Sequence, residues 1–198
     1  MTTATTLRLA TPSDAAAIAR LHAREISEGF LSVLGQPFLA RLYARVAARS
    51  GSFALVTTDD DAMVTGFIAV AESTGGLYRD FLIHDGLQAG LRAAPALLRH
   101  PARALETLRH GLVNHGAEME GAEILALAVS STARGAGLGR ALVEGSIAEM
   151  RRRGIARAHV VTASDNAAAR RTYGGCGFEP ETTIEVHRGA VQEVLVWR

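Results

Sequence analysis

Hydrophobic and polar positions along this 198-residue chain switch between two periods, and each switch marks an element. Thr6 to Ala10 reads as a short strand. Thr11-Pro12-Ser13-Asp14 then has the signature of a helix start, with threonine as the cap and proline at the first helical position. This helix is expected to run to about Glu28. From Gly35 to Ser50, Phe38, Leu42 and Val46 recur at i, i+4 and i+8, which predicts a second helix with one apolar face. The period then shortens. Phe53 to Thr57 and Met63 to Ala71 read as strands joined by a turn at Asp59-Asp60-Asp61. Glu123 to Val129 is apolar at every position but the first, so a strand covered on both faces is expected there. A strand near Arg157 to Ala163, a helix reaching Tyr173, and two last strands split at His187-Arg188-Gly189 complete the order. No internal repeat is present. The pattern predicts the α/β class, a mixed sheet with helices packed on it.

The strand from Glu123 to Val129 leads into Arg134-Gly135-Ala136-Gly137-Leu138-Gly139, which opens a helix. Backbone N–H groups at a helix N-terminus are unpaired and lie at the positive end of its dipole, so such a loop is suited to a phosphate or pyrophosphate. A Walker-type loop needs a lysine after its last glycine. Here Arg140 stands there, and all 21 basic residues of the chain are arginine. A dinucleotide fingerprint needs a glycine or alanine three residues past its second glycine. Counting from either glycine pair, that position is Arg140 or Leu142. Neither motif fits.

Arg134, Gly137 and Gly139 instead form Arg-x-x-Gly-x-Gly after a buried strand. This resembles motif A of the GNAT superfamily of N-acetyltransferases, which seats the pyrophosphate of acetyl-coenzyme A. Downstream, Asn166-Ala-Ala-Ala169-Arg-Arg-Thr-Tyr173-Gly-Gly-Cys-Gly177-Phe178 is similar to the family's motif B. The two motifs span Ala122 to Phe178 in the family's order. The resemblance implies a single N-acetyltransferase domain over residues 1–198, with a mostly antiparallel central sheet flanked by helices. One stretch departs from the pattern: residues 72–121 intervene between the third and fourth strands and look helical, with Leu87, Leu91 and Ala94, then Leu105, Leu108 and Leu112, at helical spacing. Such an insertion either extends the core or a dimer contact, or walls the acceptor site.

Acyl transfer from a thioester to an amine needs a base for the amine, a polarised carbonyl and an acid for the leaving thiolate. Glu123 is the candidate base, because Ala-Glu-Ile resembles the same stretch of the histone acetyltransferase branch, whose glutamate acts as base. Tyr173 is the candidate acid: Asn166, Ala169 and Tyr173 share one helix face, and the resemblance aims that face at the thiol. The resemblance further implies that main chain of Leu127, Ala128 and Val129 pairs with the pantetheine. It also implies that Arg134, Gly135, Ala136, Gly137, Leu138, Gly139 and Arg140 line the pyrophosphate, and that Asn166 holds the pantetheine or the splayed strand. Helix capping is the competing role for Asn166.

Composition narrows the partners. A net charge of +1 gives no reason to expect nucleic acid, and no apolar run approaches the roughly 20 residues of a bilayer span. One cysteine, Cys176, excludes an internal disulfide and suits a cytoplasmic setting. The seven histidines lack zinc spacing and the Asp59 turn lacks the later ligands of a calcium loop, so no metal is expected. The expected activity is transfer of an acetyl group from acetyl-CoA to a primary amine of a small molecule, an amino sugar or amino-acid derivative. Acetylation of a peptide N-terminus and a non-catalytic acyl-CoA-binding module are the alternatives. The insertion and the last strand, ending in Val194-Leu-Val-Trp197, are candidate surfaces for a homodimer.

Overall fold

Among the described residues, seven strands form one sheet, and its only parallel pair lies near its centre. The computed structural model describes residues 5–26, 35–85, 119–186 and 190–198. In chain order these give β1 (Thr6–Leu9), α1 (Ala15–Glu25), α2 (Gln36–Ala48), β2 (Ser52–Thr58), β3 (Val64–Ala71) and α3 (residues 74–85). Then follow β4 (Ala122–Val129), α4 (Leu138–Arg152), β5 (Ala158–Ala163), α5 (Ala167–Gly174), β6 (Glu179–Val186) and β7 (Ala190–Trp197). The strands lie in the order β1-β2-β3-β4-β5-β7-β6, antiparallel except for β4 beside β5.

The period-2 geometry of β3 builds the core on both faces at once. Phe67, Ala69 and Ala71 point to one side, where Ile18 and Leu21 of α1, Leu39, Leu42 and Val46 of α2 and Leu77 and Phe81 of α3 are buried. Ile68 and Val70 point to the other, against Leu142, Val143 and Met150 of α4 and Ile124 of β4. Burying each large aliphatic or aromatic side chain here is worth about 1.5–3 kcal/mol.

Three local expectations are modified. Thr11 caps a 3₁₀ turn, Pro12–Asp14, rather than α1 itself, and Asp14 accepts from the Thr11 N–H at 2.8 Å. Strand β4 is not buried throughout: Ala122, Ile124 and Ala128 are buried, and the rest only partly, because its neighbour β5 turns away. The last strand is not at the sheet edge among the described residues. β7 lies between β5 and β6, with Val194 to Trp197 buried, and β6 takes the sheet edge.

Of the insertion, residues 74–85 are helical as expected, and they extend the core. Phe81 meets Phe38 edge-on at 5.1 Å, and Arg45 and Arg49 of α2 reach Asp85 and Asp80 at 2.6 and 2.7 Å. The apolar periodicity from Leu87 to Leu112 lies outside the described residues, as does the His187-Arg188-Gly189 turn.

Candidate active site

The site is built around a fork. β4 and β5 pair only at Ala122↔Ala158 and Glu123↔His159, after which β5 pairs with β7 alone. Gly121 pins the shared end: its φ is +94°, and a Cβ there would lie 2.4 Å from the Arg157 carbonyl oxygen, which accepts the Ala122 N–H at 2.9 Å. Further along, Ala69 pairs with Ala126 but Val70 with Ile124, so Leu125 is an extra residue, a bulge that bends β4. From Ile124 to Val129 the β5-facing edge of β4 therefore has no strand partner among the described residues. Leu127, Ala128 and Val129 lie along this open edge.

At the C-terminal end of β4 the chain passes through a 3₁₀ turn, Ser131–Ala133, to Gly135 and Gly137, whose φ angles are +84° and +75°. The left-handed Gly137 is the N-cap of α4, and no side chain caps the helix. Its first backbone bond runs from the Ala141 N–H to the Gly137 carbonyl. The amides of Gly137, Leu138, Gly139 and Arg140 thus point past the helix end, at the positive end of its dipole. Nothing lies within 4 Å of where a Cβ would stand on Gly135 or Gly137. That open, amide-lined cradle fits a diphosphate. Gly139 packs against Thr172 of α5, 3.7 Å from its would-be Cβ, which brings the two motifs together.

Glu123 sits at the apex of the fork and faces the α3 side of the sheet. Its Oε2 accepts from the Thr74 hydroxyl, and the His159 Nε2 lies 4.0 Å away. Burial lowers the pKa of His159, with the Glu123 charge pulling the other way. Burial and the nearby Glu123 charge push the Tyr78 phenol up to about 12. A carboxylate beside a neutral imidazole and two hydroxyls is equipped to take up and pass on a proton.

Tyr173 lies on the opposite side of β4. Its ring is buried in the cluster beneath α4, edge-on to Phe178 at 5.4 Å, and burial pushes its phenol pKa up, so it stays protonated. The structure therefore brings the two chemical candidates to either face of the fork rather than side by side. Asn166 takes the capping role, its Oδ1 accepting from the Ala169 N–H at 3.1 Å. Arg140 extends along α4 to Glu144 at 2.7 Å. Arg134 Nη2 reaches the Glu25 carboxylate at 2.7 Å.

Sequence reading missed Glu25, Thr74, Tyr78 and His159. A histidine among apolar strand positions was a visible signal for His159; the others lie in unrelated segments and carried none. The turn after β2 is as expected, with Asp59 Oδ1 accepting from the Asp61 and Met63 N–H groups. The Cys176 thiol is partly buried, its pKa raised by that burial, with Sγ 4.0 Å from the Arg140 carbonyl.

Comparison with known proteins agrees with this geometry. Residues 102–178 match the profile of the Acetyltransferase (GNAT) family. A GCN5-related N-acetyltransferase from Kribbella flavida shares the fold at a TM-score of 0.66 and 18% identity, covering 98% of this chain and 97% of that one. The ribosomal-protein-S18-alanine N-acetyltransferase from Escherichia coli gives 0.61 at 16% identity, covering 98% and 92%. The NatC complex bound to Gag peptide and CoA gives 0.60 at 17%, covering 97% and 96%. Comparison with curated sequences returns no match.

Proposed function

We propose that this chain is an N-acetyltransferase of the GNAT family that moves the acetyl group of acetyl-CoA directly onto a small primary amine, with Glu123 as base and Tyr173 as acid. The observation that carries this reading is the outward-facing amides of Gly137 to Arg140 beside the unpaired edge of β4. The amides suit the diphosphate of CoA, and the edge suits its pantetheine amides as an added strand. A thioester lying between β4 and β5 is then flanked from one face by Glu123 and from the other by Tyr173.

The chemical roles follow from the groups. Glu123 accepts a proton from the substrate ammonium, directly or through one water, freeing the nitrogen lone pair to attack the thioester carbonyl, while the Thr74 hydroxyl holds the carboxylate in place. Main-chain N–H groups of β4 stabilise the charge developing on the thioester oxygen. As the C–S bond breaks, the Tyr173 phenol gives its proton to the sulfur, which leaves as the thiol of CoA, and the extra proton left on the product nitrogen returns through solvent to the phenolate.

Free CoA release, measured over a panel of amino sugars, amino-acid derivatives and N-terminal peptides, tests this. Turnover with a small amine, lost in Glu123→Gln and reduced in Tyr173→Phe, supports the reading. Turnover with peptides alone replaces the acceptor. Binding of CoA without turnover of any amine makes the chain a non-catalytic module.

A further inference from the structure

The phosphate loop has little packing of its own. Gly135 and Gly137 stand in open space among the described residues, and the helix-capping amides face outward. Its shape must therefore be set at its root, from Ser130 to Arg134. There the Ser130 N–H donates to the Thr65 carbonyl at 2.7 Å, Arg134 Nε lies 3.5 Å from the Val129 carbonyl, and the remaining hydrogen bonds to the root from other elements among the described residues come from the last two residues of α1. Arg24 Nη2 donates to the Ser130 hydroxyl at 2.9 Å. The Glu25 carboxylate accepts from the Ser131 N–H at 3.1 Å and from Arg134 Nη2 at 2.7 Å, and also from Arg24 Nε at 2.9 Å. Although it lies near the surface, the Glu25 side chain is only 6% exposed.

We propose that Glu25 is a positioning residue for the CoA diphosphate: it fixes the root of the loop so that the amides beyond it converge before ligand arrives. The inference rests on the reading of this loop as the CoA site. It has a sign that a purely electrostatic role lacks. A carboxylate beside an anion site repels the anion, and one that merely held Arg134 away from phosphate would weaken binding. Removing such a group would tighten CoA binding. A positioning carboxylate does the reverse, because its loss leaves the loop to be ordered at the expense of binding.

Calorimetric titration of the full chain with CoA reads the sign. Glu25→Ala is expected to weaken CoA binding about ten- to fiftyfold, the loss of charge-assisted bonds at one carboxylate. Glu25→Gln, which keeps an acceptor for the Ser131 N–H, is expected to lose about three- to fivefold. In turnover, KM for acetyl-CoA rises with kcat unchanged at saturation, a split that general loss of fold does not produce. Arg134→Gln combined with Glu25→Gln adds little to either alone, because both break one contact. Unchanged or tighter CoA binding in the Glu25 variants overturns the inference while leaving the site reading intact. Absence of CoA binding by the unaltered chain overturns the site reading itself, and the inference falls with it.

Discussion

The two ends of β4 are built differently, and the proposed function divides its chemistry between them. The C-terminal end is made of main chain from one contiguous stretch, Arg134 to Arg140, and it presents amides whose direction is set by glycine conformation. The N-terminal end is made of side chains from three separate elements: Glu123 on β4, Thr74 and Tyr78 on α3, and His159 on β5. A main-chain site tolerates change in most side chains but not in backbone conformation. A side-chain site has the opposite sensitivity.

Mutations that separate binding from chemistry test this contrast. The largest effect is expected from Glu123→Gln, which should lower kcat by about a hundred- to ten-thousandfold while leaving CoA affinity unchanged. A parallel loss of CoA binding, measured by calorimetry, would erase the distinction between the ends. The pH window for such measurements is set by His22, buried between Tyr43 and Phe67 with its Nδ1 2.6 Å from the Tyr43 hydroxyl. Burial lowers its pKa from the usual 6.5 to about 4. The unfolded chain thus binds a proton in this range that the folded chain refuses, so stability is full above pH 6.5 and falls as pH drops toward 4. The loss is about 3 kcal/mol by linkage. Urea unfolding across this range should show it, and His22→Gln should flatten the slope. Third, Gly137→Val forces a β-branched residue to a φ of +75° and should weaken CoA binding about tenfold with the chemical step preserved. Smallest, Thr74→Val removes one hydroxyl from Glu123 and should lower kcat/KM about three- to tenfold at unchanged CoA affinity.

The same contrast explains what the chain revealed before its structure. The glycine loop was legible as a candidate anion site because everything it needs is local: an apolar strand, glycines at fixed offsets and a helix start. The sheet and its helices were legible for a similar reason, since Phe38, Leu42 and Val46 or Ile68 and Val70 announce their faces by period alone. Glu123 was nominated only through its likeness to a family stretch. Its partners were not found, because Thr74 lies 49 positions away and is brought near by the packing of α3. Glu25, 109 positions from Arg134, was hidden likewise. Asn166 reads equally well as cap or ligand in sequence, and the cap is what its geometry shows. The expectation of a fully covered β4 failed because hydropathy reports that a strand is apolar, not that its neighbour diverges.

The fork also divides the sheet mechanically. Strands β1 to β4 and strands β5, β7 and β6 are joined by a ladder only two residue pairs long, at Ala122 and Glu123. Thermal breathing of the folded protein should begin along this seam, so amides of β5 that face β4 should exchange with solvent sooner than those of β3. An added strand inserted there would act as a rivet, stiffening both halves at once.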